Sequence, residues 1–343
     1  MRTHSMYFVG LDVHKKSISY CVKDALGDIL QEGRVRAQRS ALDAWSPQLP
    51  QPWIGAMEAT LFTAWIYDHL RDQAHELKVA HPARLKAITT AKKKSDRIDA
   101  RTLADLLRCR LLPEVHVLAR ELRELRTVLR YRNLLLGQTT RIKNKIAGLL
   151  MESGTEYNRQ RLHGKRYFQE LLTQLEHVPD SVVELLKISR QTLDFLCLLE
   201  RRLLRGLLEH PTLVERVDRL QSIPAVGTIV SLTWALEIGE VGRFPSLAKA
   251  ISYCGLCSAQ NESAGKLQRG PLSKQRNPYL QRVLVEAAHL APRYSARLRD
   301  LYDRERQRGD RNRATLAVAR KLVAFLLAVD RRQTPFTVEP TIQ

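Results

Sequence analysis

The stretch Tyr7-Phe8-Val9-Gly10-Leu11-Asp12-Val13-His14-Lys15-Lys16-Ser17-Ile18-Ser19-Tyr20-Cys21-Val22 decides how the chain begins to fold. An apolar run from Tyr7 to Leu11 delivers one carboxylate, Asp12, into a basic His14-Lys15-Lys16 corner. A β-rich run, Ser17 to Val22, then returns. A charged carboxylate at the end of a buried strand is strongly disfavoured unless it is compensated. Asp12 therefore needs a cation, a hydrogen-bond network or a metal.

Reading outward, Tyr7–Leu11, Ser17–Lys23 and Ile29–Val35 are expected to form a three-stranded meander. Gly27 in the Asp24–Asp28 turn supplies the backbone freedom that joins the last two strands. A polar helix is expected near Ser40–Ser46. Trp53–Met57 is a further strand and also ends in a carboxylate, Glu58. Thr60 is expected to cap a helix running to Asp72, and Leu77–Ala80 reads as a fifth strand closed by His81-Pro82. Strands alternating with helices in this order indicate an α/β domain. Ser95 then reads as an N-cap, which places Asp96 and Asp99 in a first helical turn on one face. Negative charge is tolerated there.

From Leu103 to about Val217 the periodicity is helical, with Pro113 separating a first helix from a long one over Leu118–Met151. Leu122, Leu125, Leu129, Leu136 and Ile146 sit near a heptad seam, and Gly154 ends the helix. A polar connection leads to a second long helix, Asp180–Leu208. The pair reads as a coiled-coil-like hairpin or dimerisation arm, or as a plain helical bundle. Helix, tight Pro224–Gly227 turn and helix follow over Leu220–Leu232, resembling a helix-hairpin-helix. Ser258–Asn277 reads as a polar basic loop, and helices are expected over Pro278–Ala291, Ala296–Arg308 and Arg313–Val329. The expected division is 1–112 as a metal-binding catalytic domain, 113–212 as a helical arm, and 213–343 as a mostly α-helical C-terminal domain.

The 343 residues carry a formal net charge of +20, with a pI near 10.1, which favours a polyanionic partner. Arginine-rich helices and few aromatics point to duplex or structured nucleic acid rather than to base stacking on single strands. No apolar run approaches the ~18 residues that span a bilayer. The N-terminus lacks a signal-peptide apolar region, and five cysteines without dense spacing fit a reducing cytoplasm.

Four carboxylates, Asp12, Glu58, Asp96 and Asp99, fall at two strand ends and one helix start. An acid cluster of this kind suits two divalent metals that hold the attacking and leaving oxygens of a phosphodiester. Hard oxygen ligands favour Mg2+ or Mn2+. His14 reads as a phosphate contact or a structural partner of Asp12, and Lys92-Lys93-Lys94 as a phosphate-contacting loop. Cys254 and Cys257 have no second pair or suitably spaced histidine and read as buried apolar contacts. In Asn261–Gly270 a hydroxyl, small residues and cations occur together, although a serine in a polar loop is usually only that.

Gly10-Leu11-Asp12-Val13-His14-Lys15, Met57-Glu58-Ala59-Thr60 and Lys94-Ser95-Asp96-Arg97-Ile98-Asp99-Ala100 together resemble the insertion-sequence transposases with a RuvC-like, RNase H-fold acidic-tetrad domain. That family includes the Piv-type invertases and the bridge-RNA-guided recombinases. Ile223-Pro224-Ala225-Val226-Gly227, Tyr253-Cys254-Gly255-Leu256, Ser263-Ala264-Gly265-Lys266 and Asn277-Pro278-Tyr279-Leu280 extend the resemblance to the C-terminal region. It implies that Asp12, Glu58, Asp96 and Asp99 bind Mg2+ and that Ser263 is a nucleophile. It also implies a homo-oligomer, dimer or tetramer, with a composite site drawn from two subunits. Donor and target DNA, and a structured noncoding guide RNA, are the implied partners, in a bacterial, nucleoid-associated setting. Lys15, Lys92, Lys93, Lys94, Arg97, Lys266, Arg269, Lys274 and Arg276 are the candidate nucleic-acid contacts. The family pattern has glycine after the serine where this chain has Ala264, and a Pro-containing run where it has Ser258-Ala259-Gln260. Ser252, Ser258 and Ser273 therefore stay open as alternatives. Two rival activities also stay open: a metal-dependent junction nuclease using water, and a non-catalytic basic binding protein.

Overall fold

The computed structural model describes residues 6–88, 95–263 and 265–337. The chain divides into two compact units that meet in sequence at Arg120 and Glu121.

The first unit is built on a five-stranded mixed sheet in the order β3-β2-β1-β4-β5. β1 (Tyr7–Val13), β2 (Ser17–Lys23) and β3 (Ile29–Arg36) form the antiparallel meander. β4 (Trp53–Glu58) and β5 (Glu76–Ala80) extend it in parallel with β1. Parallel neighbours need crossovers, which α1 (Arg39–Trp45) and α2 (Thr63–Leu70) supply. Val9, Leu11 and Val13 alternate onto one face and pack against Leu42, Trp45, Ile66 and Leu70. After α3 (Pro82–Ile88), α4 (Asp96–Arg108) covers the other face through Leu103, Leu106 and Leu107, against Ala56 and Ala80.

Thr60 does not cap α2. Thr63 accepts the Thr60 N–H through its own hydroxyl at 2.8 Å and donates to the Glu58 carbonyl at 2.7 Å. The turn is thereby closed from within, and the helix begins at Thr63.

Gly10 lies where α4 crosses β1. A Cβ at Gly10 would stand 2.0 Å from the Ala100 carbonyl oxygen and 2.6 Å from the Ala104 nitrogen. Both obstacles are backbone, so no side chain can swing aside.

The second unit is mostly helical. α5 (Arg120–Glu152), α6 (Lys165–Thr173) and α7 (Asp180–Leu208) open it. α5 and α7 run antiparallel: Arg132 pairs with Glu200 near one end, and Ile146 and Leu150 cluster with Leu186 near the other. Leu125, Arg132, Thr139 and Ile146 recur every seven residues and are all buried. The buried seam thus includes an arginine and a threonine that the leucine pattern omits. α6 lies within the connection expected to be polar, with Phe168 and Leu171 turned inward.

α8 (Pro211–Gln221) and α9 (Thr228–Ile238) follow, and the turn between them places Ala225 at a φ of +68°. Arg216 donates to Asp330 at 2.9 and 2.6 Å, and Trp234 Nε1 donates to the same carboxylate at 2.9 Å. α10 (Leu247–Tyr253) leads into an antiparallel hairpin, β6 (Ser258–Ser263) and β7 (Lys266–Leu272). The expected loop over this stretch is therefore a paired ribbon, turned at Gly265 with a φ of +75°. α11 (Pro278–Leu290), α12 (Ala296–Gln307) and α13 (Arg311–Arg332) complete the unit.

Gly10→Ala is expected to force α4 off β1 and destabilise the first unit by about 1–3 kcal/mol. Thermal unfolding of the full chain should show this as a lowered transition, and an unchanged one would refute the direct backbone contact.

Candidate active site

Strand register gathers the first two acids. Leu11 lies opposite Met57, so Asp12 and Glu58 are the next residues of two parallel neighbours. Alternation puts both on the α4 face, with Gly10 and Ala56. Ser95 caps α4 by accepting the Ile98 N–H at 3.3 Å, which leaves Asp96 and Asp99 in the first turn. α4 crosses β1 at Gly10 with its residues 100 and 104, and its N-terminal turn reaches the Asp12 end.

His14 Nε2 stands 3.0 Å from Asp12 Oδ2 and 3.4 Å from Asp96 Oδ1. One ligand atom from each of Asp12, His14 and Asp96 lies within 4.8 Å of the others. Asp12 is buried, Asp96 is partly exposed, and His14 is exposed. Burial raises the Asp12 carboxyl above its ordinary range, opposed by the nearby His14, and the charges of Asp99 and Asp96 raise it further. The site therefore resists holding its own negative charge. Two carboxylates, one of them buried, fit a divalent cation as oxygen donors, and the imidazole is compatible with Mn2+. Of the four expected ligands, Asp12 and Asp96 join His14 in one close group; Asp99 acts on Asp12 through its charge, and Glu58 is the next residue of the neighbouring strand by register, and neither belongs to that group.

Sequence reading missed the row beside them. Asp12 is opposite Ser19, and Ser19 is opposite Arg34, so the three lie in line across β1, β2 and β3. Arg34 forms an ion pair with Asp96. Glu32, two residues earlier on the same face, takes Arg101 at 2.8 and 2.9 Å and also pairs with Arg97. The period-two pattern of Glu32, Arg34 and Arg36 was the available signal. Of the expected nucleic-acid contacts in this unit, Lys15 is exposed and Arg97 is held by Glu32. Lys92, Lys93 and Lys94 lie outside the described residues.

In the second unit, the motif residues frame the hairpin. Gly255, at a φ of +74°, ends α10, and its carbonyl accepts Gln281 Nε2 at 2.7 Å. Asn277 caps α11 by accepting the Tyr279 and Leu280 N–H groups, while its amide donates to Glu237 at 2.8 Å. Arg130 grips the same buried Glu237 through two 2.8 Å bonds and stacks over Tyr279 at 4.7 Å. Ser263 ends β6 opposite Lys266, beside the turn. Ser258 begins that strand, Ser252 is exposed on α10, and Ser273 accepts the Gln275 N–H. Lys266, Lys274 and Arg276 are exposed, and the backbone of Arg269 pairs opposite Gln260. Burial pushes the Cys254 thiol up to about 12, so it is an apolar filler at neutral pH, and the Cys257 sulfur is free.

A family model described as a transposase of the DEDD type found in IS110 elements matches residues 9–154. A second, described as the transposase IS116/IS110/IS902 family, matches residues 217–303. The chain belongs to the IS110/IS116 family of transposases. It is 25% identical over 335 residues to the transposase for insertion sequence element IS1328 of Yersinia enterocolitica, covering 96% of this chain and 98% of that one. It is 26% identical over 310 residues to a probable family 20 transposase of Pseudomonas aeruginosa, covering 88% and 90%. The transposase for IS1111A of Coxiella burnetii is 25% identical over 343 residues, covering 96% and 90%. Family membership makes this transposase a DNA-binding enzyme that cuts and recombines DNA. Its first family match takes in all four carboxylates, and its second takes in the hairpin. No helix among the described residues of the transposase is long and apolar enough to cross a membrane.

Asp12→Asn removes an anion that burial and its neighbours disfavour. In chelator the variant is expected to melt at or slightly above the wild type. Added Mn2+ should raise the wild-type transition and leave the variant's unmoved; a variant that gains as much as the wild type would remove Asp12 from the site.

Proposed function

We propose that this transposase exchanges DNA strands through a covalent phosphoserine intermediate, with Asp12, Glu58, Asp96 and Asp99 holding divalent metal and Ser263 as the nucleophile. The observation that carries the reading is the convergence of acids at the ends of β1 and β4 and the start of α4. It occurs inside the region matched as a DEDD transposase. The mixed sheet with helices on both faces supports reading the unit as a RuvC-like scaffold.

Mg2+ or Mn2+ held by these carboxylates would supply positive charge opposite the negative charge that develops on the scissile phosphate and its leaving oxygen. The protein's part is to hold the acids rigidly: Gly10 lets α4 sit on the sheet, and the Ser95 cap fixes the turn that bears Asp96 and Asp99. Attack by the Ser263 hydroxyl forms a serine–phosphate ester as the deoxyribose–phosphate ester breaks, the serine proton ending on the departing deoxyribose oxygen. One phosphoester replaces another, so the strand can be rejoined to a new end without ATP. Ser263 suits the task because a hairpin tip lets nucleic acid approach the backbone closely, with the exposed Lys266 opposite it in the ribbon, while the exposed Lys274 and Arg276 follow the base of the hairpin. Asn277 and Glu237 brace the chain just after that hairpin.

Assembly as a homo-oligomer is part of the proposal, with the carboxylates of one subunit and the serine of another acting on one phosphodiester. Leu185, Ile188, Phe195 and Leu198 are all exposed along α7, which supports a role for the long helices in association. Guidance by a structured RNA is the further element of the proposal, supported by the charge of +20.

Asp12→Ala and Ser263→Ala are each expected to abolish strand exchange, by three orders of magnitude or more, while Ser263→Ala keeps its DNA affinity. A denaturing gel should reveal a protein–DNA adduct with the wild type and none with Ser263→Ala. Free DNA ends without an adduct would instead establish a hydrolytic nuclease that uses water.

A further inference from the structure

Beside the acid cluster lies a cleft of about 690 Å3, lined by Ser19, Glu32, Arg34, Ser95, Asp96 and Arg97. Its volume is that of an ordinary ligand site. Its charges balance, with Glu32 and Asp96 against Arg34 and Arg97. The two halves of that balance differ. Glu32 is held by both Arg97 and Arg101, so its charge is settled locally whatever happens to Asp96. Arg34 is different, since its acidic partner is Asp96, a proposed metal ligand. Among the described residues the ion-pair partners of Asp96 are His14 and Arg34.

Arg34 pairs with Asp96 Oδ2, while Oδ1 is the oxygen that faces His14; a cation of charge two on the carboxylate draws on the negative charge that both oxygens share and so weakens its hold on an exposed guanidinium. The Arg34 side chain is 61% exposed and springs from the edge strand β3, so little packing holds it against Asp96. We infer that Arg34 and a divalent cation compete for Asp96, and that the Arg34 released by the cation holds a backbone phosphate of nucleic acid in this cleft. The inference rests on the reading of Asp96 as a metal ligand. Before the exchange the cleft is neutral. After it, the cleft carries the ion and a free guanidinium, and it attracts a polyanion. Arginine suits the released role because its planar fork matches two phosphate oxygens. Ser19 and Ser95 add hydroxyls to the same walls. Nucleic acid would then be gripped next to the acids only when the metal is in place, so metal loading and substrate retention are a single event.

The test uses the full chain and two probes, Mn2+ alone and a short fluorescent DNA duplex. In calorimetric titration Arg34→Gln is expected to bind Mn2+ roughly threefold to tenfold more tightly than wild type, the scale of one partly exposed ion pair. Arg36→Gln, on the same strand and face but outside the cleft, should change Mn2+ affinity by less than about twofold, which separates direct competition from a general change in charge. By anisotropy, Mn2+ should strengthen duplex binding by wild type, and Arg34→Gln should lose most of that gain while matching wild type in chelator. Unchanged Mn2+ affinity in Arg34→Gln overturns the competition, and an undiminished Mn2+-dependent gain in DNA affinity overturns the phosphate role. Asp96→Asn keeps the two readings apart. If it binds Mn2+ as wild type does, the metal assignment of Asp96 fails; if it loses Mn2+ while Arg34→Gln matches wild type, only the inference about Arg34 fails.

Discussion

The backbone of α4 rests directly on β1 at Gly10, and the candidate active site depends on that contact. A strand and a helix usually keep a layer of side chains between them. Here Ala100 and Ala104 meet a glycine, so the layer is missing and the helix axis comes in close. The gain is positional. Asp96 and Asp99 in the first turn of α4 are carried to the end of the strand that bears Asp12. Leucines of the same helix then close the hydrophobic face, so packing and placement are done by one element.

Electrostatics works against this arrangement, and the structure distributes the strain. Asp12 is buried among like charges, with a histidine as its nearest relief. Asp96 leans on Arg34, and Lys23 reaches Asp105 on the same helix at 2.6 Å. Such pairs rarely add much stability. They keep an acid-rich face foldable before any cation is bound. The second unit handles its buried charge differently: Glu237 and Asp330 are each held by an arginine and a neutral donor, a closed arrangement with no reason to open.

Much of the first unit was legible because alternation is a local signal. β2 was bounded correctly, and β1, β3 and β4 to within one or two residues, from apolar patterning. The Ser95 cap followed from residue type and position. The Thr60 cap failed because Thr63, one of two competing hydroxyls, closed the turn, a choice that depends on the Glu58 carbonyl above it. The hairpin over Ser258–Leu272 was hidden by its serines, glutamines and cations, which carry weak strand preference; only Gly265 marked the turn. In α5, Leu125, Leu129 and Ile146 of the expected seam are buried, Leu122 and Leu136 are only half-buried, and the buried Arg132, Leu135 and Thr139 were not read. Around the acids, Arg34 went unnoticed because its partner Asp96 lies far along the chain, on α4, and it is strand register that carries Arg34 to it.

Arg132 has a further consequence for the history of the chain. Its guanidinium, 7% exposed, meets Glu200 and so fixes which turn of α5 faces which turn of α7. Sliding one helix by a turn moves the partners about 5.4 Å apart and strands a buried charge. An insertion or deletion between this pair and the far end of the hairpin must therefore be matched by an equal one in the opposite helix, in multiples that keep the seven-residue seam. By this argument the length of the α5–α7 pair changes in coordinated steps, so it is a discrete quantity rather than one that drifts residue by residue.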